Sequence, residues 1–212
     1  MAFAGTARAE ARYRPINVRL KVFLDFKSPA AYLAMKPTLE LIEQFQPAVE
    51  WLPVRSTQED VSELPESAGK PRIHRHVRRL ARRNTHLLYA NLHGLEMTFP
   101  PAVGSTDAAL CGLQYVLATD SNPLPFIFEA FKAYWVRHED LNDPQVVCDI
   151  LSGSGYDARG FDLESELARL PESLDPANQA GVFDAPTYWI DGQIFLGREH
   201  LPWIRSILAQ EA

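Results

Sequence analysis

Ser28 is the first residue whose type and place could do chemistry. It follows the apolar run Val18 to Phe26 and precedes Pro29. Ser before Pro suits the N-cap and first position of a helix. The first N–H groups of a helix have no partner inside it, and the helix dipole favours an anion at that end. A thiolate or carboxylate held beside Ser28 would receive the hydroxyl hydrogen and those N–H groups together. The same two residues also read as an ordinary helix cap. No glycine-rich phosphate loop precedes the helix, and no G-x-S-x-G elbow surrounds Ser28, so nucleotide binding and a serine triad both lack support.

Three other places draw notice. Pro186, between Ala185 and Thr187, would remove a ladder bond inside a strand and so belongs at an edge or beside a site. A cis Ala185–Pro186 bond would present the Ala185 amide or carbonyl, although trans is the ordinary form of such bonds. Arg198 and Glu199 follow Gly197 at the start of the last helical segment. A carboxylate beside an arginine there could clamp an amino-acid headgroup, or simply serve the helix electrostatically. The run from Lys70 to Arg83 holds seven of the 21 Lys and Arg residues, and Arg72, Arg75, Arg79 and Arg82 share a helical face. It reads as a solvated face near the acidic stretch Glu59, Asp60, Glu63 and Glu66, or as a device that steers an anionic substrate. Its few aromatics give nucleic-acid stacking little support. The histidines show no metal-ligand spacing. Cys111 and Cys148 form no CxxC and read as two free thiols in a reducing compartment, with one bridge as the alternative.

These residues need elements to hold them. The chain has 212 residues, 46% of them hydrophobic, which suffices for a sizeable core and excludes a disordered chain. A net charge of −6 argues against a general nucleic-acid binder, and no stretch nears the length of a membrane span. After a loose leader over 1–17, the pattern predicts a strand over 18–26, a helix over 30–45 kinked at Pro37, and a strand over 49–54. Helices are predicted over 71–92, 105–118, 124–135, 144–151 and 161–170, the last broken at Pro171, with a short turn over 175–180. Ala185 to Ile190 and Gln193 to Gly197 form a hairpin around Asp191-Gly192, and Glu199 to Ala209 closes the chain as a helix. Strands at both ends and helices between them predict a four-stranded mixed sheet interrupted by a helical insertion.

Two end segments carry a resemblance. VFLDFKSPAAYLA, Val22 to Ala34, resembles the opening of the 2-hydroxychromene-2-carboxylate isomerases and the related kappa-class glutathione transferases, where a strand ends in F-x-S-P-x-x-Y. Phe26, Ser28, Pro29 and Tyr32 match that pattern. GVFDAPTYWIDGQIFLGREHL, Gly181 to Leu201, is similar to the family's G-V-F-G-x-P-T-x-x-x-D-G-x-x-F-x-G segment, and Phe131 to Val146 is similar to its middle helix and following turn. Similarity is weakest over 55–92 and 157–180.

The resemblance implies an α/β, thioredoxin-like fold with an inserted all-helical domain: a first part over 18–60, the insertion over 61–180 and a second part over 181–212, paired as a homodimer. It implies glutathione as cofactor. Ser28 takes the place of the family's catalytic serine, where disulfide oxidoreductases carry their first cysteine, and Ala31 takes the second cysteine's place. Pro186 matches the cis-proline, and Ala185 would pair its backbone with the cysteinyl part of glutathione. Arg198 and Glu199 fall where a Ser-Asp pair holds the γ-glutamyl group. Arg198 departs from the pattern, Asp184 stands where Gly is common, and the acceptor-side loop after the second strand lacks its usual Gly and Asn. The implied reaction is cis–trans isomerisation of a small anionic aromatic carboxylate of the enone type through a reversible thioether. Glutathione conjugation and a glutathione-binding scaffold without turnover are the alternatives. The expected setting is cytoplasmic, with no nucleic acid and no membrane as partners.

Overall fold

A computed structural model describes residues 18–56 and 70–211. The expected leader and the acidic stretch from Glu59 to Glu66 lie outside the described residues. Four strands form one sheet in the order β2-β1-β3-β4: β1 (Arg19–Leu24), β2 (Ala48–Pro53), β3 (Thr187–Ile190) and β4 (Gln193–Leu196). β1 runs parallel to β2 and antiparallel to β3, with Val22 opposite both Trp51 and Tyr188. A parallel pair needs a crossover, and α1 (Pro29–Phe45) supplies it. β3 and β4 are joined by the Asp191-Gly192 turn, where both residues take positive φ.

β1 is central, so both its faces are covered. Leu20, Val22, Phe23 and Leu24 are all buried. α1 covers one face, and the hydroxyls of Thr38 and Tyr188 meet across that interface at 2.6 Å. α1 runs unbroken through Pro37 and ends at Gln46, which takes left-handed geometry and donates its N–H to Ile42 O.

Between the sheet's halves lie α2 (Lys70–Leu92), α3 (Asp107–Leu117), α4 (Leu124–Lys132), α5 (Pro144–Gly153) and α6 (Leu163–Ala180). α3 packs closely enough that a side chain at Gly112 would strike Phe126 and Val147. α7 (Leu201–Gln210) closes the chain against α1. The α/β thioredoxin-like core with a helical insertion is therefore present.

Three elements differ from expectation. The predicted break at Pro171 does not occur: α6 is one helix through both Pro171 and Pro176. Both prolines sit on its exposed side, while Leu170, Leu174 and Ala177, spaced four and three apart, form a continuous buried face. Burying that face outweighs two missing N–H bonds. The helix expected to run to Trp135 instead changes to a π-helical turn over Ala133–Arg137, which buries three consecutive residues, Ala133, Tyr134 and Trp135. The closing helix likewise begins as a 3-10 turn over Arg198–His200.

α2 is turned opposite to an ordinary amphipathic helix. Ile73, Val77, Leu80, Leu88 and Leu92 are exposed, whereas Ala90 is buried and Arg79, Arg83, His86 and Tyr89 are half-buried. Much of its polar face is thus directed at the body of the protein.

Candidate functional site

The four residues that lead from β1 into α1 are fixed from three directions. The Asp25 carboxylate is fully buried. It accepts from Ser56 N at 2.8 Å, Ser56 Oγ at 2.9 Å, Thr106 Oγ1 at 2.6 Å and Lys27 N at 3.3 Å. Lys27 Nζ stands 3.3 Å from it. A buried charge with that many donors is tolerated where a bare one would not be. Phe26 O accepts from Trp135 Nε1 at 2.9 Å, which ties the loop to the π-helical turn. Ser28 N donates to Asp25 O at 3.1 Å. The end of β1, the segment after β2 and the start of α3 all meet at Asp25, so the loop has little freedom to move.

Ser28 caps α1: its Oγ accepts from Ala31 N at 3.2 Å, and Pro29 occupies the first helical position. The Ser28 hydroxyl donates to Ala185 O at 2.5 Å. Its side chain is 4% exposed. The Ala185–Pro186 bond is cis, and Ala185 and Pro186 are buried. Pro186 O accepts from Gly197 N at 2.8 Å, linking this loop to the end of β4. Ser28, Ala185 and Pro186 are therefore neighbours although 157 residues separate the first two.

Asp184 adds a contact that the sequence left unread. Its carboxylate accepts from Ala185 N at 2.8 Å. With Ser28 on the carbonyl, both backbone groups of Ala185 are engaged by the chain itself. Desolvation holds the Asp184 carboxyl above the usual carboxylate range; the Ala185 N–H opposes this, Asp25 adds to it, and Arg82 opposes it. The charge of Arg82, on the basic helix, thus reaches Asp184 beside the cis-proline.

Arg198 and Glu199 lie in the 3-10 turn after β4. Gly197 takes φ +86°, and the space left by its absent side chain is filled by the Glu199 carboxylate. The Arg198 guanidinium stacks on the Tyr89 ring of α2, 3.3 Å from its centroid. His86, one turn earlier on α2, feels both residues. Its pKa is lowered to about 4, first by burial, then by Arg198 and Arg82, with Glu199 opposing. His86 Nδ1 and Arg198 Nη1 are buried atoms without a hydrogen-bond partner.

The structure thus forms two clusters, Ser28 with Ala185 and Pro186, and Arg198 and Glu199 with His86 and Tyr89. Asp25, Asp184, His86 and Tyr89 were missed as site residues. Asp25 carried a signal, the one charge in the apolar stretch VFLDF, Val22 to Phe26; His86 and Tyr89 followed arginines that drew the reading to charge alone. Tyr134 and Trp135 are core residues, and Tyr32 is half-buried with its hydroxyl donating to Glu96 O. The Tyr134 hydroxyl pKa is pushed up to about 12 by burial, with Asp25 adding and Gly104 opposing. The cysteines are free, and burial pushes the Cys111 thiol up to about 12, assisted by Glu166 and Asp107. That removes it as a nucleophile. A cavity of about 440 Å³ lies on the other face of the sheet, among Lys21, Trp189, Glu172, Asp175 and Gln179, with no orphaned polar atom among these residues. Among the described residues no cluster could hold a metal ion, and no helix is long and apolar enough to cross a membrane.

Comparison with known proteins gives this geometry a setting. Residues 19–209 match the family described as DSBA-like thioredoxin domain. The 2-hydroxychromene-2-carboxylate isomerase of Sphingobium xenophagum is 26% identical over 202 residues, covering 88% of this chain and 95% of the relative. A solved structure of a 2-hydroxychromene-2-carboxylate isomerase superposes with TM-score 0.67 at 17% identity, over 91% of this chain and 95% of the other. The cytosolic disulfide reductase DsbM of Pseudomonas aeruginosa, solved with GSH, gives TM-score 0.57 at 17% identity over 91% of this chain and 98% of its own. At such identities these structures share the fold.

Proposed function

The chain belongs to the DSBA-like thioredoxin domain family, and on that premise we propose that it is a glutathione-dependent isomerase acting on a small anionic aromatic compound with a conjugated carbonyl. It is a thioredoxin-fold protein of the oxidoreductase and isomerase kind. Its helix mouth carries Ser28 and Ala31 and no sulfur, so a cysteine pair cannot run disulfide exchange there.

The observation that carries the reading is the Ser28 hydroxyl lying against Ala185 O at the mouth of α1, beside the cis Ala185–Pro186 bond. The residues present fit glutathione: Ala185 would offer its backbone N–H and C=O once the ligand displaces the Asp184 and Ser28 contacts on them, and Arg198 offers an orphaned N–H beside a carboxylate at Glu199. Bound glutathione would supply a thiolate that adds to the conjugated substrate and leaves again, so bond rotation falls between the two events and the thiol is returned. Ser28 would turn its hydroxyl from Ala185 O to the sulfur, trading one neutral hydrogen bond for a charge-assisted one. The first N–H groups of α1 would add their partial charge. Lowering a thiol by two units needs about 2.7 kcal/mol, which a charge-assisted bond and a helix end can supply. Arg82 and its neighbours would draw an anionic substrate to the cis-proline loop.

Titrating thiolate absorbance of bound glutathione in wild type and Ser28→Ala tests this. A depressed thiol pKa in wild type that Ser28→Ala restores supports it; glutathione bound with an ordinary thiol pKa removes it. Incubation with a cis-benzylidene pyruvate-type substrate separates isomerisation from conjugation, because only the former leaves the glutathione concentration unchanged.

A further inference from the structure

Half of the large apolar side chains exposed among the described residues lie on one helix. Ile73, Val77, Leu80, Leu88 and Leu92 of α2 follow steps of four, three, eight and four, so they share a face, with Asn84 at the intervening place. Val77 is 56% exposed, Leu88 59% and Leu92 73%. Single exposed apolar residues need no explanation, but a continuous stripe does. From Ile73 to Leu92 it is about 28 Å long at the rise of an α-helix. The helix cannot roll to bury it, because its other side is in use. Ala90 is buried, the Arg83 guanidinium lies over the Phe99 ring at 4.6 Å, and the Tyr89 ring lies under Arg198.

Charge narrows what could cover the stripe. α2 carries seven Lys and Arg and no Asp or Glu, in a chain of net charge −6. Arg75, Arg78 and Arg82, three and four apart, are exposed along one edge of the stripe. Neither Arg75 nor Arg78 makes an ion pair among the described residues. A second copy fits poorly: two such stripes paired about a twofold axis would set seven cations against seven. A partner helix or peptide wants a groove, and this stripe stands on a single outward-facing helix. A bilayer with anionic lipid offers both properties at once, an apolar interior and a negative surface.

We propose that α2 is an interfacial helix that seats the protein on a bilayer containing anionic phospholipid. Ile73, Val77, Leu80, Leu88 and Leu92 enter the headgroup boundary, and Arg75, Arg78 and Arg82 meet the lipid phosphates. No helix of the described residues is long and apolar enough to cross a membrane, and a helix lying in the surface needs no such length. The expectation of no membrane partner is given up on this one point. Attachment is reversible, since the apolar stripe and the basic edge are two weak signals that hold only together. The proposal stands apart from the glutathione reading, because none of these apolar residues belongs to the Ser28 or Arg198 clusters.

The test mixes the full chain with vesicles of phosphatidylcholine alone, or of phosphatidylcholine with about one-third phosphatidylglycerol, and reads the bound fraction by sedimentation. The anionic vesicles should bind the protein at least about tenfold more tightly than the neutral ones, and raising salt from about 0.1 M to about 0.5 M should cost about tenfold. The double variant Val77→Asp with Leu88→Asp alters exposed positions only, and circular dichroism checks that it folds. It should lose about tenfold or more in vesicle affinity, as should Arg75→Gln with Arg78→Gln. Leu88→Trp should gain a blue-shifted emission with anionic vesicles that wild type lacks. Protein that stays in the supernatant with anionic vesicles overturns the proposal, and so does binding that the double Asp variant retains, which would be charge attraction alone. A dimer in sedimentation velocity that the double Asp variant disperses assigns the stripe to a second copy and overturns it. An acidic Glu- and Leu-rich helical peptide that binds wild type and not the double Asp variant, where vesicles do not bind, assigns it to a protein partner and overturns it likewise. Calorimetry with glutathione on the same variants should give wild-type affinity, so the functional reading is judged separately.

Discussion

The mouth of α1 and the inner face of α2 are built on opposite terms. At the mouth the polar groups of Asp25, Ser28 and Ala185 are engaged within the chain: Asp25 accepts from Ser56, Thr106 and Lys27, Ser28 donates to Ala185 O, and Asp184 accepts from Ala185 N. On α2 the groups near Arg198 are half-buried, charged and in part unpaired. A satisfied region is rigid and holds geometry; a region with orphaned donors has free energy left for a ligand to collect. Affinity is accordingly expected from the α2 end, and control of the reacting atom from the mouth, where a ligand must exchange with bonds already made.

The largest effect should come from breaking the mouth's scaffold. Asp25→Ala leaves Thr106 and Ser56 hydroxyls and the Lys27 ammonium without their acceptor, and should cost about 3 kcal/mol in chemical denaturation. A loss under about 1 kcal/mol would mean the mouth is not the rigid partner in this comparison. Ser28→Ala comes next. Turnover should fall about 100-fold, the size seen when one donor to a reacting anion is removed. Stability should fall by only about 1 kcal/mol, through the lost helix cap. Equal losses in both would make Ser28 a cap and nothing more.

The two regions were unequally legible in the sequence. Ser28-Pro29 announced its strand-to-helix junction through local chemistry, and Asp191-Gly192 announced its hairpin, because cap and turn residues act over a few positions. The four-stranded sheet followed from strands at both ends. What joined Ser28 to Ala185 was a contact across 157 residues, available only through resemblance. The α2 end was less legible still. Its charge was plain, but the helix faces inward with its polar side, against the usual rule for amphipathic helices, so His86 and Tyr89 went unread beside the arginines. Pro171 misled in a related way: a local breaker lost to a buried face formed by Leu170, Leu174 and Ala177.

Smaller perturbations sharpen the contrast. Arg198→Ala removes the orphaned donor, so KM for glutathione should rise about tenfold with kcat within twofold, the reverse of the Ser28 pattern. A fall in kcat instead would place Arg198 with the reacting atoms. Asp184→Gly frees the Ala185 N–H that its carboxylate now occupies, so glutathione should bind about fivefold tighter, the worth of one net hydrogen bond. Asp184→Asn keeps an acceptor at that N–H and should stay near wild type. If glycine weakens binding, the Asp184 contact assists the ligand and does not compete with it.

The smallest effect lies in pH dependence, and it separates the two ends without any ligand. His86 is held neutral in the folded protein, with its pKa lowered to about 4. In the unfolded chain it takes a proton near pH 6.5. The unfolded state therefore binds more protons between these values, and stability must fall as pH drops from about 6.5 to about 4, with the full contribution present above that window. Full conversion of such a shift would give about 3 kcal/mol, and solvent screening at a half-exposed residue reduces it to about 1 kcal/mol. His86→Gln cannot titrate, so its acid limb should be flatter over this window by that amount, read from denaturation midpoints at a series of pH values. Ser28→Ala removes no titrating group and should leave the slope as it is. A His86→Gln profile that runs parallel to wild type would show that the imidazole already carries its proton in the folded state, and the α2 end would then repel a ligand ammonium more strongly than Glu199 could attract it.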